Sequence, residues 1–113
     1  MLSITERDDN GIAILVPDGN IIMGGGSAIL RDSMRSLLEK GRTRVLINFK
    51  GVKYIDSSGI GELVAGSVSI SRASGQLKLS NMTERVFEAM SLSSVLSIFE
   101  VYADEAEALS DFD

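Results

Sequence analysis

The sequence predicts an α/β fold: a mixed β-sheet of four to five strands packed against about four helices. Three observations predict it. Two apolar runs near the start flank Asp8-Asp9-Asn10-Gly11, a turn composition that pairs neighbouring strands as a hairpin. Beyond that hairpin, segments with helical apolar spacing alternate with short segments of strand composition, the order that builds a sheet of mixed direction. With 113 residues, 44% of them hydrophobic and 24% charged, the chain has the size of one domain with one core, residues 1–113.

Residues 2–6 and 11–16 read as the hairpin strands, the second an almost unbroken apolar run, Ile12-Ala13-Ile14-Leu15-Val16. Pro17-Asp18-Gly19 is expected to end it. Residues 20–23 form a short apolar piece that fits a third strand, followed by Gly24-Gly25-Gly26-Ser27. These glycines lack the Gly-Lys-Ser/Thr ending of a P-loop, so they read as a mobile entry to a helix rather than a phosphate cradle. Leu30, Met34, Leu37 and Leu38, at i, i+4, i+7 and i+8, predict that helix over residues 28–40, with Gly41 at its C-terminal cap. Arg35 and Glu39 are expected to pair on its solvated side. Val45-Leu46-Ile47-Asn48-Phe49 is apolar on both alternating faces, as a central strand should be.

A short turn then delivers Asp56-Ser57-Ser58-Gly59 and a helix over residues 57–73. Its core stripe is Ile60, Leu63, Val64 and Ser67, ending in Ile70 and Ser71. The other side carries Gly61, Glu62, Ala65, Gly66, Val68 and Ser69, mostly small residues. Such a face is either solvated or docks a flat partner surface, since interface centres lose charge. Gly75 marks a turn, and residues 76–80 alternate as a strand with Leu77 and Leu79 on one face. Asn81-Met82-Thr83-Glu84 gives a capping pattern for a helix to residue 90. Its Met82, Val86 and Met90 stripe reads as core rather than as a methionine-rich binding groove. Residues 98–101 lead into the last strand, and Asp104 with Glu107 caps an acidic helix ending near Leu109.

Function concentrates at residues 56–61. A helix start leaves up to four N–H groups without intrahelical partners and carries partial positive charge, so Asp, Ser and phosphate groups are favoured there. Asp56, Ser57 and Ser58 are such residues. Gly59 and Gly61 each cost a helix about 1 kcal/mol relative to Ala, which calls for a packing or access reason. On residues alone, Asp56 or Ser57 as a simple N-cap and the glycines as packing devices remain a sufficient account.

Composition narrows the function classes. With no Cys and no His, disulfide and thiol chemistry and the usual general base are missing. Ser57 or Ser58 as a nucleophile would need Lys50 or Lys53 as base, and Asp56 and Glu62, six residues apart, need not converge on a substrate. The chain is read as a non-enzyme without cofactor or metal. A net charge of −5 disfavours nucleic acid as a direct partner. Residues 1–8 show neither a basic start nor an apolar core region, and no apolar run reaches 18 residues, so the expectation is a cytoplasmic protein without membrane insertion.

The run Tyr54-Ile55-Asp56-Ser57-Ser58-Gly59-Ile60-Gly61 resembles the signature of STAS domains, specifically the anti-sigma factor antagonists of bacterial partner-switching systems. Gly75-Gln76-Leu77-Lys78-Leu79 and residues 101–109 resemble the strand after the signature helix and the closing strand and helix of that family. The resemblance covers almost the whole chain. It implies that Ser57, or alternatively Ser58, is phosphorylated by a partner that is both anti-sigma factor and serine kinase. It further implies that the unmodified face of Asp56, Ser57, Ser58, Gly59, Gly61, Glu62 and Ala65 binds that partner and frees a sigma factor, and that a phosphatase resets Ser57. One departure stands out. Family members carry a Gly-Glu-aliphatic-Asp loop near the serine, whereas here Gly19-Asn20-Ile21-Ile22 puts Asn20 and Ile22 in the acidic places. The alternative within the resemblance is a STAS scaffold or regulatory subunit of another assembly, a stress-signalling complex or a lipid-transport ATPase.

Overall fold

The computed structural model describes residues 1–112. Strand β1 (Leu2–Asp9) runs antiparallel to β2 (Ile12–Ile21) across the Asn10-Gly11 turn, where both residues take positive φ, 51° and 85°. Helix α1 (Gly26–Glu39), β3 (Arg44–Asn48), β4 (Gly51–Ile55) and α2 (Ser57–Arg72) follow. Strand β5 (Gln76–Ser80), α3 (Glu84–Leu92), a single 3-10 turn (Leu96–Ile98), β6 (Glu100–Tyr102) and α4 (Glu105–Ser110) complete the chain. Strands β2, β3, β5 and β6 are parallel neighbours, β1 is the antiparallel edge, and β4 pairs with the far half of β2.

The α/β class, the mixed sheet and four helices match the expectation; the sheet has six strands, one more than the upper count. Two sequence expectations change together. Pro17 does not end β2: it lies in the strand opposite Ile4, and residues 20–21, expected as a separate third strand, are the end of β2. The strand survives because it changes partner. Its register shifts between Gly19 and Asn20, with Gly19 at φ 123°, so Ala13–Leu15 pair with β3 while Asp18–Ile21 pair with β4. Strand β4 occupies what the sequence presents as a short turn. Only Val52 and Ile55 of it are buried, with Lys53 and Tyr54 exposed, so it lacks the clean alternation that marks a strand.

Side chains alternate between two faces. Ala13, Leu15, Val45, Ile47, Phe49, Leu77 and Leu79 point into the main core under α1, α2 and α3, where Leu30, Met34, Leu37, Ile60, Leu63, Ile70, Val86 and Met90 meet them. Val86 and Met90 are fully buried, so the methionine stripe of α3 is core. The opposite face carries Ile12, Ile14 and Leu46 against Ala108 of α4, with Tyr102, Leu109 and Phe112 at the margin. That second layer explains Lys78, which is 1% exposed. Its ammonium lies 3.1 Å from both Glu100 Oε1 and the Tyr102 hydroxyl and 5.2 Å from the rings of Tyr102 and Phe112.

Helix α1 begins two residues earlier than the apolar spacing indicates. Gly26 is buried in its first turn, where a Cβ would collide with the Asn20 carbonyl oxygen, so this glycine is a packing contact and not a mobile entry. Arg35 and Glu39 form no ion pair among the described residues; Arg31 instead reaches Asp32 (3.3 Å) and Glu62 on α2 (3.9 Å). Gly66, expected on the outer side of α2, is buried, and a Cβ there would lie 2.5 Å from the Met34 sulfur.

Candidate functional site

Strand β4 ends at Ile55, and the backbone N–H of Asp56 donates to the Ile21 carbonyl (3.2 Å), which fixes the start of α2 beside the end of β2. From there the Asp56 carboxylate works in two directions. Oδ1 accepts from the backbone N–H of Ser58 (3.0 Å), that of Gly59 (3.1 Å) and the Ser58 hydroxyl (2.6 Å). Oδ2 accepts from the backbone N–H of Met23 (3.0 Å), tying the loop between β2 and α1 to the same helix start. The Ser58 hydroxyl and then the Met23 N–H hold this carboxyl below the usual Asp range against the opposing desolvation, with smaller help from the Gly59 and Ser58 N–H groups. Asp56 is therefore an anion with its lone pairs committed.

The two serines divide accordingly. Ser58 is half-buried and spends its hydroxyl on Asp56. Ser57, the first helical residue, is exposed, and its hydroxyl makes no hydrogen bond among the described residues. The N–H groups of Ser58 and Gly59 are taken by the Asp56 side chain and that of Ile60 by the Asp56 carbonyl (3.0 Å), while the Ser57 N–H makes no hydrogen bond among the described residues.

Gly59 and Gly61, equivalent as helix-weakening residues in the sequence, do different work. Gly59 is buried, and a Cβ there would lie 2.5 Å from the Ile21 carbonyl oxygen and 2.8 Å from the Ile55 side chain. Gly61 faces open space. Past it, Glu62 is half-buried beside Arg31 and Ala65 is exposed. Asp56, Ser57, Ser58, Gly59, Gly61, Glu62 and Ala65 thus follow α2 from its first turn outward, with Gly59 turned inward. Asp56 and Glu62 share no hydrogen-bond or ion-pair partner among the described residues.

One neighbour escapes a sequence reading. Met23 is 75% exposed although its N–H is bonded to Asp56. Tyr54, which opens the signature run just before the helix, is 45% exposed. The available signal was an apolar residue next to three glycines, which reads equally as the end of a strand.

A family model described as the STAS domain matches residues 3–108. The chain belongs to the STAS domain family. The anti-sigma-B factor antagonist of Bacillus subtilis is 31% identical to this STAS chain over 75 residues, 66% of this chain and 68% of the relative. An anti-sigma factor antagonist from Mycobacterium paratuberculosis superposes with a TM-score of 0.88 at 16% identity, covering 99% of this chain and 94% of that one. The Bacillus cell fate determinant SpoIIAA in its phosphorylated form superposes with a TM-score of 0.72 at 17% identity, covering 96% and 97%. The structural likenesses establish the STAS fold. Asn20 pairs with Tyr54 across β2 and β4, and the Ile22 carbonyl accepts from the Ser27 N–H (3.0 Å). No helix among the described residues is long and apolar enough to cross a membrane.

Proposed function

We propose that this STAS domain is an anti-sigma factor antagonist. Its unmodified α2 start binds an anti-sigma factor with serine kinase activity and competes it away from a sigma factor, and phosphorylation of Ser57 blocks that contact. The observation that carries this reading is the split between the serines: Ser57 offers a free, exposed hydroxyl, while the Ser58 hydroxyl is held 2.6 Å from Asp56. A kinase can take the first without unmaking the helix cap. The name of the Bacillus subtilis relative supports the same role.

The mechanism is electrostatic. Phosphorylation adds about −1.5 to −2 charges at neutral pH. Because Asp56 already occupies three of the four first-turn donors, the phosphate has little backbone to fold back onto and stays outward. Docked against a partner, it must be desolvated near the Asp56 carboxylate. Two unit charges 4 Å apart repel by about 4 kcal/mol at an effective dielectric near 20. A loss of roughly 3 kcal/mol already weakens binding more than a hundredfold.

The testing experiment incubates the purified chain with ATP and an anti-sigma serine kinase from the same genome. Intact mass should rise by one phosphate, Ser57→Ala should abolish the rise and Ser58→Ala should keep it. A phosphatase should then remove the phosphate and restore binding. No mass shift, with recovery of the chain in a membrane ATPase or a stress-signalling complex, would replace this reading with the scaffold role.

A further inference from the structure

The faces that α1 and α2 turn toward each other leave a groove that continues from the switch face of α2 onto α1. Arg31, Met34, Arg35 and Leu38 on α1 stand at i, i+3, i+4 and i+7. Glu62, Ala65, Gly66 and Ser69 on α2 stand at the same spacing, so the two rows face each other along both helices. Gly66 lets Met34 close the floor, and Ala65 and Ser69 are too short to fill the space above it. The opening holds about 130 Å³ and is open to solvent along the helices.

Its rim carries Arg31 and Arg35 on α1 opposite Glu62 on α2. Arg31 is shared between Asp32 (3.3 Å) and Glu62 (3.9 Å), whereas Arg35 is exposed and forms no ion pair among the described residues. An arginine fork over an apolar floor recognises a carboxylate set next to an aliphatic side chain.

We propose that the α1–α2 groove is a second docking slot, which takes an acidic amphipathic segment of the protein partner, seating one aliphatic side chain over Met34 and Gly66 with a neighbouring carboxylate on Arg35. This rests on the reading of α2 as the partner-binding helix, since Glu62 and Ala65 belong to both surfaces. It goes beyond that reading because the contact engages α1 and depends on charge of the opposite sign.

The test measures binding of the full chain to the purified anti-sigma serine kinase by calorimetry, with thermal melts as the folding control. Arg35→Glu should weaken binding at least tenfold, and Ala65→Leu, which fills the slot from within, should do the same while the melting temperature holds. A photo-crosslinker at Ser69 should capture a partner peptide in which an aliphatic residue lies within one helical turn of Asp or Glu. If Ser57→Asp abolishes binding while Arg35→Glu and Ala65→Leu bind like the parent chain, the slot is unused and the switch stands. Capture of a basic or wholly polar peptide overturns the assigned chemistry. If Ser57→Asp leaves binding intact, the switch reading fails, and a loss confined to Arg35→Glu and Ala65→Leu would leave the groove as a docking site in its own right.

Discussion

Asp56 Oδ2 accepts the Met23 backbone N–H at 3.0 Å while Oδ1 caps α2, so one carboxylate joins a loop and a helix 33 residues apart. Asp56→Ala removes an N-cap and this bridge together. It should lower unfolding free energy by about 1–2 kcal/mol in urea titration. Amide exchange should accelerate at Met23 and Gly59 more than elsewhere; uniform acceleration would mean that the bridge has no local role.

Ser57→Ala removes no hydrogen bond seen in the structure and should leave stability within about 0.5 kcal/mol. Ser58→Ala deletes a donor to an ionised carboxylate and should cost about 1 kcal/mol. Thermal melts of the two variants side by side give the comparison. Equal losses would remove the structural distinction on which Ser57 is chosen.

The glycines separate in the same way. Gly59→Ala drives a methyl into the Ile21 carbonyl and should cost about 1–3 kcal/mol. Gly61→Ala meets open space and should stabilise the helix by about 0.5–1 kcal/mol. If Gly61→Ala nonetheless weakens partner binding, Gly61 is kept for close approach of a partner backbone.

The site was more legible than the sheet. Asp56 and the serines carry helix-start chemistry in their residue types, and the stripe of Ile60, Leu63 and Ile70 announces the helix. Strand β4 was hidden because Gly51, Lys53 and Tyr54 break its pattern, and its pairing exists only because β2 shifts register at Gly19. Pro17 looks like a terminator until the partner change is known. The inward turn of Gly66 and the burial of Lys78 likewise depend on neighbours, Met34 and α4, that local sequence does not name.

Stability should fall on the acid side. Asp56 is held low chiefly by the Ser58 hydroxyl, and Glu105 chiefly by Arg7, whose guanidinium lies 2.7 Å and 2.9 Å from its two oxygens. A carboxyl lowered in the fold contributes stability above its ordinary pKa of about 4 and loses it as pH falls through the lowered value. Unfolding free energy should therefore decline below about pH 4. Asp56→Asn and Glu105→Gln should each flatten that decline, as urea midpoints across pH would show; unchanged slopes would refute the assignment.

Lys78 gives a test of the second layer. Burial lowers its pKa, but hydrogen bonds with Tyr102 and Glu100 outweigh that and leave it raised, so it is a buried cation with partners. Lys78→Met keeps the volume and removes the charge, and should leave stability within about 1 kcal/mol or improve it, whereas Lys78→Ala should cost about 2–3 kcal/mol. A large loss on Lys78→Met would show that the polar contacts with Glu100 and Tyr102, not the packing, hold this side of the sheet.

The central measurement is the affinity of the anti-sigma serine kinase for this chain in three states: unmodified, carrying phosphate on Ser57, and as Ser58→Ala. The account predicts tight binding for the first and third and at least a hundredfold loss for the second, with the melting temperature of the phosphorylated form unchanged. Equal affinity for the unmodified and Ser57-phosphorylated forms would contradict it.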